Sequence, residues 1–197
     1  DKELIFTRPP VNRPIENVDL PFDKTFQCLG IQTTLSIFKC LLLEQKVLFH
    51  SSQLSLLTAV PECILAFLYP FSWEHVYIPV LPRPLLGVLQ APMPFICGMQ
   101  TGLFDEIQDE IPENIVVVNI DNDEIFIPDM NRANEIPPLP EKEEQKLVKA
   151  LQEIAEPVRL NRPGGGDDDI WRETCLNMMD SAFSFAFTSS SFVFLHY

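Results

Sequence analysis

The sequence predicts an α/β fold with three layers, in which a mostly parallel central sheet is flanked by helices and carries an added β-hairpin. The first observation is a strand–helix–strand succession. Residues 46–50 and 75–80 are short, apolar and β-prone, whereas residues 54–69 carry apolar side chains on nearly every face, as a buried helix does. Such a unit favours a parallel strand pair with a right-handed crossover. The second observation is a third apolar strand at residues 95–99, which follows a proline-marked turn.

The helices that precede and follow the first strand can be placed from their apolar patterns. Residues 22–29 begin the packed part of the chain, and residues 31–45 form a helix. Its apolar stripe consists of Ile31, Leu35, Phe38 and Leu42. Ser51 and Ser52 form the turn into the next helix and supply its capping residue. Pro61 leaves two alternatives: the helix kinks there, or its regular part starts near Val60 with the proline in its first turn.

Three further elements follow the second strand. Arg83–Gln90 can form a short helix with Pro84 in its first turn. Residues 114–120 and 124–127 are β-rich runs around Asp121, Asn122 and Asp123, which predicts a hairpin. Residues 141–155 predict a helix with a glutamate-rich first turn. Its apolar stripe is Leu147, Leu151 and Ile154.

The ends of the chain differ from this central part. Residues 3–7 could form an edge strand, residues 1–156 make one α/β module, and residues 157–169 are an acidic, glycine-rich linker. Residues 170–197 begin a second, helical module, with a helix predicted at 170–179. Its last part, 181–197, is rich in serine and phenylalanine without a clear period, and we expect it to be disordered or loosely helical.

Composition excludes several classes of partner. The net charge of −14 argues against nucleic acid and against docking on anionic lipid, since both need clusters of lysine and arginine. Residues 105–144 concentrate the acidity, and a solvated acidic edge is the ordinary meaning of such a run.

Five widely spaced cysteines without a C-x-x-C predict a reducing compartment and no metal site. With no basic-then-apolar leader, we expect a cytoplasmic protein. The longest apolar run, 54–71, contains Pro61 and Glu62, so we expect a core helix and no direct membrane insertion.

No motif for covalent catalysis or for a cofactor frames the polar residues. The histidines at 50, 75 and 196 lack a partnered nucleophile motif, so structural or solvated roles are expected. The glycines at 164–166 have neither the preceding strand nor the following Lys-Ser/Thr of a phosphate-binding loop. Asp121 and Asp123 resemble the start of a calcium loop, but the glycine and glutamate of that loop are missing, which favours hairpin turn residues.

A long ordered string of residues resembles a known family. Leu42–Ser51 reads LLEQKVLFHS, residues 69–82 read YPFSWEHVYIPVLP, and residues 91–98 read APMPFICG. Together with Leu56-Leu57-Thr58, this string closely resembles the central module of DENN-domain proteins. The segment IPPLP at 136–140 resembles the stretch before that family's next helix, and IWRE at 170–173 followed by Leu176 resembles the opening of its downstream module.

The resemblance covers roughly residues 3–180. Pro61 departs from the family pattern, in which a helix former is expected. From the resemblance we expect these residues to lack the family's upstream, longin-like lobe and to hold only the start of its downstream module. Residues 1–156 then correspond to the central module and residues 170–197 to a truncated start of the downstream one.

The resemblance implies guanine-nucleotide exchange on a Rab-type small GTPase in membrane traffic. Such a factor breaks no covalent bond, needs no cofactor and is not an enzyme in the covalent sense. It binds the nucleotide-free GTPase better than the loaded form, and this difference in affinity drives GDP release. In the family the partner contacts both the upstream lobe and this α/β lobe, and recruitment to membranes would come through partners. The alternative is a non-catalytic GTPase-binding or scaffold domain that retains the fold.

Candidate contact residues come from a rule about open α/β sheets, whose ligands favour the crevice at the carboxyl ends of the strands. Those ends supply nine candidates: His50, Ser51, Ser52, Leu81, Pro82, Arg83, Gly98, Met99 and Gln100. The alternative is that these are ordinary turn and capping residues. Trp73 is a candidate aromatic hot spot, with core packing as its alternative.

Overall fold

A computed structural model describes residues 20–68, 71–128 and 139–159. In these ranges the strands are β1 (Val47–Ser51), β2 (Val76–Ile78), β3 (Phe95–Gln100), β4 (Val116–Asn119) and β5 (Glu124–Phe126). The helices are α1 (Phe22–Cys28), α2 (Ile31–Leu42), α3 (Leu56–Ala66), α4 (Thr101–Ile107) and α5 (Glu141–Arg159). Two 3₁₀ helices span Arg83–Gln90 and Gln108–Glu110.

The strands form one mixed sheet in the order β2-β3-β1-β4-β5. β1 lies in the middle and pairs in parallel with β3 and β4, and β2 pairs in parallel with β3. β5 alone runs antiparallel, because it forms the predicted hairpin with β4. The mostly parallel sheet with an added hairpin is therefore confirmed. The predicted pairing of the first two strands is wrong, because β3 lies between β1 and β2 and pairs with both.

Each face of the sheet carries its own core, which makes the fold three-layered. Phe49 belongs to the larger core, which α1, α2, α3 and α5 cover. Its neighbour Leu48 points the other way, into a smaller core under α4 and the first 3₁₀ helix. β1 is buried along its whole length, since helices cover both of its faces.

The structure corrects the bounds of two predicted helices. The helix predicted at 54–69 is α3, and it runs from Leu56 to Ala66 across Pro61, so the alternative that its regular part starts near Val60 is wrong. Ser51 and Ser52 do not cap it: Ser55 precedes the helix, and no side chain makes the capping hydrogen bond. The helix predicted at 31–45 ends at Leu42, because Glu44 turns the chain with a φ of 51°.

Other elements agree with the prediction or extend it. The short helix over Arg83–Gln90 forms as a 3₁₀ helix with proline in its first turn. α5 continues to Arg159, past the predicted end at residue 155 and into the first residues of the predicted linker. α4 was not predicted at all. The segments at 3–7, 160–169, 170–179 and 181–197 lie outside the described residues, so the domain boundaries stay predictions.

The described cysteines are free thiols, three of them buried. Burial raises the pKa of the Cys40 and Cys97 thiols to about 12, so both are protonated at neutral pH. Across the three described ranges, no helix combines the length and the apolar character that a bilayer-spanning segment requires.

Candidate functional site

The structure brings the three predicted strand ends to one edge of the sheet. In the parallel register of β1 and β3, His50 lies opposite Met99 and Ser51 lies opposite Gln100. The third strand end, which follows β2, joins them through a backbone hydrogen bond. The Leu81 N–H donates to the Gly98 carbonyl oxygen at 2.7 Å. These backbone contacts hold the three strand ends next to one another.

The nine strand-end candidates divide into a buried layer and an exposed layer. The buried residues are His50, Ser51, Leu81, Gly98 and Met99. The exposed residues are Ser52, Pro82, Arg83 and Gln100, which together are called the strand-end surface below. A partner that docks at this edge meets the exposed layer, and the buried layer fixes its geometry.

His50 has a structural environment. It is 5% exposed, and its Nδ1 lies 3.2 Å from the Thr101 hydroxyl. Its ring stacks on Phe104 of α4. Burial lowers the pKa of His50, although the negative charges of Asp105, Asp121 and Glu124 partly oppose that effect. The neutral imidazole is therefore the form that the fold favours.

Arg83 supplies the positive charge of the strand-end surface. It begins the first 3₁₀ helix, and its guanidinium group forms an ion pair with the Glu106 carboxylate of α4. Both side chains are more than half exposed, so solvent screens the pair and it contributes little to stability. Arg83 can therefore exchange Glu106 for an acidic group on a partner at small cost.

Trp73 is not part of this edge. It precedes β2 and therefore lies toward the amino ends of the strands, at the opposite side of the sheet. Its indole N–H donates to the Val76 carbonyl at 3.3 Å, and its ring packs edge-on against His75 and against the larger core. These contacts are those of the core-packing alternative.

Sequence reasoning missed three contributors to the site. Thr101 and Phe104 come from α4, and Asp121 comes from the turn between β4 and β5. A signal for α4 was present, since Leu103, Phe104 and Ile107 repeat at helical spacing directly after a strand. The contact of Asp121 with Ser51 had no signal in the sequence, because 70 positions separate the two residues.

Most of the described acidic run is exposed, as the predicted solvated edge requires. Its exposed acidic residues are Asp105, Glu106, Asp109, Glu110, Glu113, Asp121, Asp123, Glu124 and Glu141. Three residues of the run also connect separate elements of the fold. Asp121 and Asp123 accept hydrogen bonds from other elements, and Glu144 forms an ion pair with Lys39. The hairpin-turn interpretation of Asp121 and Asp123 is confirmed.

The mostly parallel sheet, covered on both faces and carrying exposed strand ends and an edge hairpin, defines an α/β module. The sequence model of the DENN (AEX-3) domain family matches residues 1–123, which include every candidate named above. The chain belongs to this family, as the resemblance predicted.

Similar proteins bear DENN names. The chain is 32% identical over 167 residues to human DENN domain-containing protein 2B, which covers 85% of this chain. It is 34% identical over 154 residues to mouse DENN domain-containing protein 2A, with 78% of this chain covered. It is 33% identical over 144 residues to human DENN domain-containing protein 2C, with 73% covered. The matched region spans 14–15% of the length of these relatives.

Proposed function

We propose that this chain is the central module of an exchange factor that promotes GDP release from a Rab-type small GTPase. Membership of the DENN family supports this, because the family is associated in general with Rab exchange. The observation that carries the proposal is the strand-end surface, where exposed residues at the carboxyl ends of three parallel strands lie side by side. The GTPase docks on Ser52, Pro82, Arg83 and Gln100.

The proposed mechanism is differential binding. An exchange factor accelerates GDP release when it binds the nucleotide-free GTPase more tightly than the loaded form. The backbone pairing of β1 with β3 fixes the loops before the partner arrives, so little ordering free energy is lost on binding. No bond is made or broken in the exchange step.

The remainder of the protein completes this surface. Since the matched region spans 14–15% of the relatives, the upstream longin-like lobe would lie in a longer protein and would contact the same GTPase. We therefore expect this module alone to bind weakly and the longer protein to be active. Cytoplasmic localisation with recruitment to membranes by partners belongs to the same proposal.

The first experiment measures release of fluorescent GDP from a panel of Rab GTPases. The chain is added alone and then within the longer protein that includes the upstream lobe. Accelerated release from one GTPase in the presence of the lobe supports the proposal. Binding without acceleration in both samples would establish the scaffold alternative, and absence of both would refute a role in GTPase control.

A second experiment localises the surface. Arg83→Glu in the longer protein should lower the exchange rate at limiting GTPase about tenfold, because it reverses a charge at the interface. Lys24→Glu is the matched control, since this exposed lysine lies on α1 against the other face of the sheet. The swap Arg83→Glu with Glu106→Arg restores the intramolecular pair but should not restore exchange. Full restoration would show that the pair matters and the partner contact does not.

A further inference from the structure

The loop that follows β1 is held by a carboxylate from a distant part of the chain. Asp121 lies in the turn between β4 and β5. Its Oδ1 accepts a hydrogen bond from the Ser51 hydroxyl at 2.6 Å, and its Oδ2 accepts one from the Ser52 backbone N–H at 2.7 Å. Both oxygens of one side chain therefore fix two successive residues, at the point where the chain leaves the sheet.

The Ser51 hydroxyl extends this network by one residue. Besides donating to Asp121, its Oγ accepts a hydrogen bond from the Gln53 N–H at 3.0 Å. The side chain of Ser51 is fully buried, whereas Ser52 and Gln53 are exposed. Asp121 thus determines the conformation of exposed residues through a buried hydroxyl and a backbone amide.

The turn that carries Asp121 is itself fixed to β1. The Ile120 N–H donates to the His50 carbonyl at 3.1 Å, which continues the pairing of the two strands. The Asn119 amide oxygen accepts hydrogen bonds from the N–H groups of Asp121 and Asn122, at 3.1 and 3.3 Å. Although desolvation acts to raise the pKa of Asp121, hydrogen bonds from Ser51 and Ser52 lower it overall. The carboxylate is ionised at neutral pH and acts only as an acceptor.

We propose that Asp121 is a positioning residue for GTPase exchange: it holds residues 51–53 in the conformation that the GTPase binds. This inference rests on the proposed function, since Ser52 belongs to the strand-end surface. Loss of Asp121 leaves the sheet in place but frees the loop, so the ordering of the loop must then be completed when the GTPase binds.

The same turn provides a matched control. Asp123, two residues further on, has a φ of 56°, and its Oδ1 accepts a hydrogen bond from the Gly30 N–H at the start of α2 at 2.7 Å. Asp123→Gly removes that bond and suits the positive φ. The two aspartates therefore share a turn but fix different places, and only Asp121 holds the strand-end loop.

The test uses the longer protein with Asp121→Ala, Asp121→Asn and Asp123→Gly. GDP release is followed at increasing concentrations of loaded GTPase, and hydrogen exchange of the Ser52 amide is measured without GTPase. Asp121→Ala should raise KM about tenfold with kcat unchanged and should remove protection of the Ser52 amide. Asp121→Asn keeps an acceptor oxygen, so its KM should rise less and the Ser52 amide should keep part of its protection. Asp123→Gly should leave GDP release within about twofold of the wild type, because the bond that it removes fixes Gly30 and not the strand-end loop.

The outcomes separate this inference from the proposed function. A lower kcat at constant KM would indicate a smaller folded fraction and would overturn the positioning role. The positioning role would also be overturned if Asp121→Ala lost the protection of the Ser52 amide but kept the exchange kinetics of the wild type. It would be overturned as well if Asp121→Ala kept that protection. If the wild type releases GDP from no GTPase, the proposed function fails and the exchange role of Asp121 fails with it. The hydrogen-exchange data then still decide whether Asp121 holds the loop.

Discussion

The imidazole ring of His50 stacks on the phenyl ring of Phe104, with centroids 4.0 Å apart and ring planes 3° from parallel. The contact joins the end of β1 to α4 beneath the strand-end surface. Burial lowers the pKa of His50, so the unfolded chain binds a proton there more readily than the folded protein does. The stability that the neutral ring contributes is present above the unfolded pKa of about 6.5, and it is lost as the pH falls through the folded pKa.

The free energy of unfolding should therefore fall more steeply below pH 6.5 in the wild type than in His50→Gln. Urea denaturation between pH 7.5 and pH 5 measures this directly. His75→Gln is the control for a second histidine. Its free energy of unfolding should still fall as steeply below pH 6.5 as that of the wild type, because His50 is present. Parallel curves for the wild type and His50→Gln would contradict the prediction.

Gly98 is required by a close approach of two backbones. A β-carbon at this position would stand 1.9 Å from the Pro79 carbonyl oxygen and 3.2 Å from Leu57 Cβ. Since the obstacle is backbone rather than a flexible side chain, Gly98→Ala must push β3 away from the segment that follows β2. We expect a loss of about 3 kcal/mol, at the upper end for an overpacked core.

Gly102→Ala tests whether the effect at Gly98 is steric. Gly102 lies in α4, and a β-carbon there would meet nothing within 4 Å. Alanine is also the better helix former, so this variant should gain about 0.5–1 kcal/mol. Chemical denaturation of both variants gives the comparison, and a small loss in Gly98→Ala would show that the strands can separate easily.

The fold was predictable because each central strand can be identified from its own short stretch of sequence. The runs at 46–50 and 95–99 are buried on both faces and therefore apolar without interruption, which sets them apart from the amphipathic helices. The hairpin was predictable because turn-forming residues separate two β-prone runs. α4 was not predicted, because it is only seven residues long and its apolar repeat overlaps the start of the acidic run. The end of α2 depends on the positive φ of Glu44, which composition does not reveal.

The candidate site was predictable only in its location. Parallel strands bring their carboxyl ends together, so topology alone placed Ser52, Arg83 and Gln100 at one edge. Which residues of that edge are buried depends on the elements that cover each face of the sheet. That covering buries His50 and Met99 and leaves the residues of the strand-end surface exposed. Trp73, a separate candidate, precedes a strand and so lies at the other edge, where its contacts are those of the core-packing alternative.

Pro61 is an unfavourable residue at its position in α3. It occupies the sixth position of the helix, where proline removes a backbone hydrogen bond and crowds the preceding turn, at a cost of about 3 kcal/mol. Its ring is buried, and replacing it with alanine loses about 2 kcal/mol of burial. The backbone effect is larger, so Pro61→Ala should stabilise the module by about 1 kcal/mol.

Val60→Ala is the matched control for Pro61→Ala. Val60 is also fully buried in α3, but alanine there restores no backbone hydrogen bond, so a loss of about 2 kcal/mol is expected. Urea denaturation midpoints of the two variants should therefore move in opposite directions. A loss in both would mean that the helix already accommodates the proline without strain.

Lys39 connects α2 to α5 through an ion pair with Glu144, whose Oε1 lies 2.6 Å from the lysine Nζ. The side chains are 16% and 31% exposed, so the pair lies between the surface and interior cases. Glu144→Gln leaves the lysine partly buried without its counter-charge, and we expect the free energy of unfolding to fall by about 1 kcal/mol.

Glu141→Gln is the control, because it loses a similar helix-dipole contribution in the same first turn while the ion pair stays intact. Thermal unfolding at low and high salt distinguishes the two, since the difference should shrink as salt screens the pair. Equal losses in the two variants would mean that the ion pair contributes nothing beyond the burial of Leu147, Leu151 and Ala155.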